Sequence, residues 1–278
     1  MKKILVPVDF SNHSEYALEV ASAFAKKYDA TIILLHMLGL SEAVLTKNEG
    51  QEVAEAIYYM KLAKKRFSVL KSKEFLEGVS VSEIVQNYKE FSEINEVAKD
   101  QGADLIVMGS HGSKGISEVF VGSNTEKVVR TSEVPVLVIK EQVSDFNIHK
   151  VVFACDFKTE NILVYRKAMR LFQRLGTAVD LVYVNVPSAA FKSSTDIEQR
   201  AEEFLAIADF DAPIRPDEVA YLSGHSIEQA IFDYGKKVSA DALAIPTHGR
   251  KGLAHFFYGS LGEDIANHAK LPVFTFKI

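Results

Sequence analysis

The chain states one pattern twice. KKILVPVDFS (2–11) returns as HKVVFACDFK (149–158), and ATIILLHML (30–38) returns in form as AVDLVYVNV (178–186). GADLIVMGSHG (102–112) returns as SADALAIPTHG (239–249), and SEVPVLVIK (132–140) as AKLPVFTFK (269–277). Four landmarks in the same order, with a period of about half the chain, mark a duplication of a whole domain and not a solenoid of short repeats. The reading is two domains, 1–141 and 148–278, joined through the polar stretch EQVSDFN (141–147).

Each half alternates short apolar runs with segments of helical spacing. In the first half, KILVPV (3–8), TIILLHM (31–37), a run near 79–86, DLIVMG (104–109) and VPVLVI (134–139) read as strands buried on both faces. Helices are predicted over 12–28, 51–72, 91–101 and 122–131, the first with Ser11 as its cap and with Ala17, Leu18, Ala21 and Phe24 on one face. The second half places strands near 150–155, 179–185, 217–222, 241–246 and 272–277, and Ser226 with Gln229 forms a capping box. Strands alternating with helices imply right-handed crossovers and a parallel sheet covered on both faces, an α/β fold. Such sheets take ligands beyond the carboxyl ends of their strands, where strand order reverses.

Composition removes several classes of function. A net charge of −5, with no run of Lys and Arg, gives no electrostatic footprint for nucleic acid. No stretch reaches the roughly 18 apolar residues of a membrane span, and the apolar start of the chain is broken at Asp9. The single cysteine, Cys155, has no intrachain partner for a disulfide and fits a reducing cytoplasm; it reads as a small buried strand residue. No P-loop, dinucleotide fingerprint, hydrolase elbow or zinc spacing occurs.

The ends of strands one, two and four carry the unusual residues. Pro7-Val8-Asp9 closes the first strand, and Asp9 suits either a ribose or adenine edge or the cap of the next helix. His36-Met37 closes the second. The fourth runs into Gly109-x2-Gly112-x9-Gly122-Ser123, followed by Asn124 at the start of a helix. Glycines let a phosphate approach the backbone, and a helix N-terminus offers free N–H groups to an anion. His111 and His248 hold matching loop positions and read as braces of the loop. A divalent cation such as Mg²⁺ could be shared between Asp9 and phosphate oxygens.

These residues resemble the universal stress protein family in its tandem form. The resemblance rests on ILVPVDFS, LLHM, DLIVMGSHG, the G-x2-G-x9-G-S loop and PVLVIK, and it spans essentially the whole chain. It implies a five-stranded parallel sheet of order 3-2-1-4-5 in each half, with ATP at the strand ends where the loop is kept. Carried over, Pro7 and Asp9 would lie against adenine and ribose, and the backbone of Met37 would meet the adenine. Gly109, Gly112, Gly122, Ser123 and Asn124 would hold the phosphates. The second half keeps Asp156, Gly249, Gly259 and Ser260 but has Pro246 in place of the first glycine and Leu261 in place of Asn124. Proline has no N–H and fixes φ, so nucleotide binding is expected to be weakened or lost there. The family also implies that Val136–Ile139 and Val273–Phe276 pair within one chain as a pseudo-dimer, which would cover two apolar edges. Further association of two chains stays open. The functional expectation is a cytoplasmic, ATP-dependent sensor in stress response or signalling, acting through an unnamed protein partner. A slow ATPase and a module for another small ligand or anion are the alternatives.

Overall fold

The computed structural model describes residues 1–38, 49–87, 93–110, 123–187, 192–208, 214–247 and 271–278. It divides into two units, one of Met1–Val128 with Val136–Phe146 and the other of Asn147–Ile278 with Val129–Pro135. In the first unit the order is β1 (Lys3–Pro7), α1 (Asn12–Tyr28), β2 (Thr31–Leu38), α2 (Glu49–Lys71), β3 (Val81–Asn87), α3 (Glu93–Asp100), β4 (Leu105–Gly109), α4 (Ser123–Thr131) and β5 (Val136–Ile139). The second unit holds β6 (Lys150–Ala154), α5 (Ile162–Leu175), β7 (Ala178–Asn185), α6 (Ser194–Ala208), β8 (Ala220–Ser223), α7 (Ile227–Lys237), β9 (Ala242–Thr247) and β10 (Val273–Lys277).

Both sheets are parallel and share one order. The first runs β3-β2-β1-β4-β5 and the second β8-β7-β6-β9-β10, so each is wound outward in two directions from its first strand. Strands β1, β4 and β5 are built from Ile, Leu and Val because both faces are covered: Ile4, Leu5, Val6, Leu105, Ile106, Val107, Leu137, Val138 and Ile139 are all inaccessible to solvent. Helix α1 turns Ala17, Leu18, Ala21 and Phe24 inward as its spacing predicts. Ser11 caps it, its Oγ accepting from the Ser14 amide at 3.3 Å.

Three local features differ from the sequence reading for a physical reason. Strand β5 begins at Val136, after Pro135, which has no N–H to give a ladder. The strand expected near 217 begins at Ala220, because Pro216–Glu218 form a 3₁₀ turn with proline at its start. Half of the capping box is made: the Ser226 hydroxyl accepts from the Gln229 amide at 3.1 Å, but the Gln229 side chain donates forward to Asp233 at 2.8 Å.

The duplicated motif GADL/SADA contains a clamp that sequence comparison alone does not explain. One carboxylate oxygen of Asp104 accepts from the amides of Lys2 (2.6 Å) and Lys3 (3.2 Å), and the Asp104 amide donates to the Lys3 carbonyl at 2.9 Å. Asp241 repeats this with the amides of His149 (2.7 Å) and Lys150 (2.9 Å) and with the Lys150 carbonyl (2.9 Å). Each aspartate fixes the start of the fourth strand of its sheet against the start of the first. Asp104→Ala and Asp241→Ala are each expected to lower unfolding free energy by about 1 kcal/mol, since charge-assisted bonds are lost but water reaches the exposed amides. Urea denaturation of the full chain checks this, and the unaltered midpoint of a nearby surface variant, Lys2→Gln, is the control.

Candidate functional site

The first strand of each unit is pinned to the fourth where both begin, and the two then part. Pairing of β1 with β4 ends at Leu5↔Ile106, whereas β1 stays with β2 to Pro7↔Leu35 and β4 stays with β5 to Gly109↔Ile139. A fork therefore opens between β1 and β4 at the carboxyl edge of the sheet, at the point where the winding reverses. In the second unit β6 and β9 part after Phe153↔Ala244, while β6–β7 pairing continues to Ala154↔Val182 and β9–β10 pairing to Thr247↔Lys277.

The first fork brings several of the predicted residues to one edge. Pro7 closes β1, Asp9 follows it, Met37 is near the end of β2 opposite Gln86 of β3, and Gly109 closes β4. Helix α4 begins at Ser123 and Asn124. Its first turn is tied to the fork because the buried Thr125 hydroxyl donates to the Gly109 carbonyl at 2.8 Å. Gly112, Gly122, Gly249, Gly259 and Ser260, with His111, His248 and Leu261, lie outside the described residues.

Asp9 acts locally as well. Its Oδ1 accepts from the Ser11 amide (3.0 Å) and the Ser11 hydroxyl (2.6 Å), which aims the Ser11 lone pairs at the end of α1. Between them Phe10 is left-handed, with φ 63°. Phe157 takes the same conformation, φ 51°, after Asp156. A bulky residue there is strained, and in both units the ring is held by aromatic neighbours. Phe10 lies 4.5 Å from His36 and 5.5 Å from Phe67 between ring centres, under the Arg66 guanidinium at 5.3 Å. Phe157 lies against Tyr183 and Phe204 and is 2% exposed. The signal was present as the repeated Asp-Phe pair; its backbone meaning was not.

His36 belongs to this cluster. Its Nδ1 lies 2.8 Å from the Val8 carbonyl, so that nitrogen carries the proton and donates, leaving Nε2 as the acceptor of a neutral ring. Burial holds its pKa below the ordinary histidine value, and the Arg66 charge acts in the same direction against the Val8 bond and Asp9. His36 thus ties the end of β2 to the turn after β1.

The missing side chain of Gly109 is explained by α1. A Cβ there would stand 2.6 Å from the His13 carbonyl oxygen and 2.9 Å from the His13 Cβ. The first turn of α1 lies directly on the end of β4, and only glycine admits it. In the second unit the corresponding turn is rebuilt: Thr159–Asn161 form a 3₁₀ turn before α5 begins at Ile162. There Asp156 Oδ1 accepts from the Lys158 amide (3.1 Å) and from Asn161 Nδ2 (2.7 Å), and the Lys158 ammonium lies 3.2 Å from Oδ2. Pro246 stands two residues past the last β6–β9 pair, so its missing N–H falls where β9 has already left β6. Cys155, following β6, is buried and its thiol is pushed up to about 12, chiefly by desolvation, so it is an inert packing residue. Gly109→Ala is expected to cost about 1–3 kcal/mol through overpacking against His13, whereas Pro246→Gly costs no more than about 1 kcal/mol through chain entropy. Urea titrations of the two variants decide it.

Comparison with known proteins agrees with the repeated architecture. The model of the universal stress protein family matches the chain twice, over residues 1–140 and 147–277. Universal stress protein MJ0577 of Methanocaldococcus jannaschii is 35% identical over 157 residues, which takes in 51% of this chain and 97% of that protein. Universal stress protein YxiE of Bacillus subtilis is 32% identical over 146 residues, or 50% of this chain and 98% of that one. A universal stress protein structure from Archaeoglobus fulgidus aligns over 99% of this chain and 96% of its own, with a TM-score of 0.64 at 21% identity, a likeness of fold. Two copies of one doubly wound domain, each opening a fork at the same strand ends and each matched by the same family model, make this chain a tandem member of the universal stress protein family.

Proposed function

We propose that the first unit binds ATP at the fork between β1 and β4, and that the protein acts as a nucleotide-dependent sensor in the cytoplasm and not as a turnover catalyst. The observation that carries this reading is the convergence at one edge of Asp9, Met37, Gly109 and the N-terminus of α4, which Thr125 ties to the Gly109 carbonyl. Strand ends at a switch point, with a helix N-terminus aimed at them, suit an anion linked to a planar base. Pro7 and the backbone of Met37 would face the base. Asp9, positioned by its bonds from Ser11, would accept from the ribose. Gly112, Gly122, Ser123 and Asn124 would cradle the phosphates, with Gly109 setting the approach of α1. Mg²⁺ would travel with the triphosphate, neutralising its oxygens. Asp156, Gly249, Gly259 and Ser260 would form a weakened counterpart in the second unit.

Isothermal titration of the full chain with ATP and Mg²⁺ tests it. One site per chain is expected. Asp9→Ala should weaken it at least tenfold, about 1.4 kcal/mol, and Gly122→Val should abolish it with circular dichroism unchanged. Binding absent at millimolar ATP, or unaltered affinity in both variants, overturns the assignment; phosphate release above background that Asp9→Ala removes would replace the sensor with a slow ATPase.

A further inference from the structure

The second unit has a cavity of about 460 Å³ at the carboxyl ends of β6 and β7, reached also by Pro246, Ile227 and Ile278. That volume lies in the lower part of the range for small-molecule sites, about 300–1,000 Å³. Its wall is apolar along Ala154, Cys155, Val182, Val184 and Val186. Three cationic side chains line it, Lys158, Lys192 and Arg200, against one acidic side chain, Asp156. Lys158 is paired with that carboxylate. Among the described residues, no carboxylate lies within ion-pair distance of Lys192 or Arg200. One buried polar atom in the lining is also unsatisfied. Asn161 is 3% exposed and donates through Nδ2 to Asp156, which fixes its amide orientation, and its Oδ1 accepts from no group.

An apolar wall, two cations without acidic partners and an orphaned acceptor describe a ligand. We propose that this cavity binds a compact organic anion of one or two negative charges, with an apolar body and one N–H or O–H donor. Arg200 and Lys192 take the anionic group, Asn161 Oδ1 takes the donor, and the Val182, Val184 and Val186 wall takes the body. A nucleoside triphosphate is a poor match, because this mouth carries Pro246 where the first unit has Gly109 and so has one amide fewer to offer phosphate oxygens. The cavity takes in Asp156, so in this unit the organic anion would replace the weakened nucleotide counterpart, and the proposal does not depend on nucleotide binding by the first unit.

The probe is anilinonaphthalene sulfonate, which has one negative charge, an apolar ring system and one N–H donor. Fluorescence titration of the full chain should show one saturable site with micromolar dissociation constant. The double variant Lys192→Gln, Arg200→Gln, whose altered side chains hold no other element in place, should weaken it at least tenfold with circular dichroism unchanged. Asn161→Leu alone, with both cations intact, should weaken it a few-fold. Decanoate should compete, decanol should not, and ATP should leave the signal in place. No saturable binding, equal binding to the double variant, or stoichiometric displacement by ATP in the Asp9→Ala background would each overturn the proposal. The last outcome would make the cavity a second nucleotide site.

Discussion

The contact on which the rest of each unit depends is the short parallel pairing of its first strand with its fourth. An aspartate clamps the two strands together at their amino ends, through Asp104 in one unit and Asp241 in the other. Their pairing then lapses after Leu5↔Ile106 and Phe153↔Ala244. Strands held together at one end and released at the other make a wedge-shaped opening, and the reversal of winding keeps helices from filling it. The crevice is thus a consequence of register, and it exists twice because the register does.

The two forks have since been finished differently. In the first, a capped α-helix begins three residues after Asp9, and its first turn presses on Gly109. In the second, the same stretch of chain spends a 3₁₀ turn before its helix, Asn161 replaces the Ser11 hydroxyl as the partner of the aspartate, and a proline is accommodated on the fourth strand. Lys158 stands where the first unit has Ser11. A serine hydroxyl can accept from the helix and donate to Asp9 at once, while a lysine can only donate. The two turns therefore differ in how the following helix starts and in the charge beside the aspartate.

Each unit carries a residue held in a costly conformation at the turn after the first strand. A left-handed phenylalanine is tolerated because its ring is clasped, by His36 and Phe67 around Phe10 and by Tyr183 and Phe204 around Phe157. Full burial of an aromatic ring gives roughly 2–3 kcal/mol, which Phe157 reaches at 2% exposed and the half-buried Phe10 gains in part, against strain of order 1–3 kcal/mol. The turn aims the aspartate side chain at the next helix, and the ring beneath it prevents the turn from relaxing. Strain here serves to position a carboxylate at the rim of the crevice.

The amino-acid sequence by itself determined the duplication, the α/β class and the positions of most elements. These depend on local periodicity: apolar branched runs form strands buried on both faces, and a 3.6-residue stripe forms a helix whatever its neighbours. It also marked Asp9, Met37 and Gly109 as residues of one edge, because a parallel sheet sends every strand's carboxyl end the same way. Some facts depended on contacts between segments far apart in the chain. That Gly109 makes room for His13, that Asp104 clamps Lys2 and Lys3, and that Asn161 is left with an unanswered oxygen in the lining of a cavity it shares with Arg200 cannot be seen in any window of neighbouring residues. Sequence pattern records what each segment prefers, whereas the distance between segments is set only once the core has closed around them.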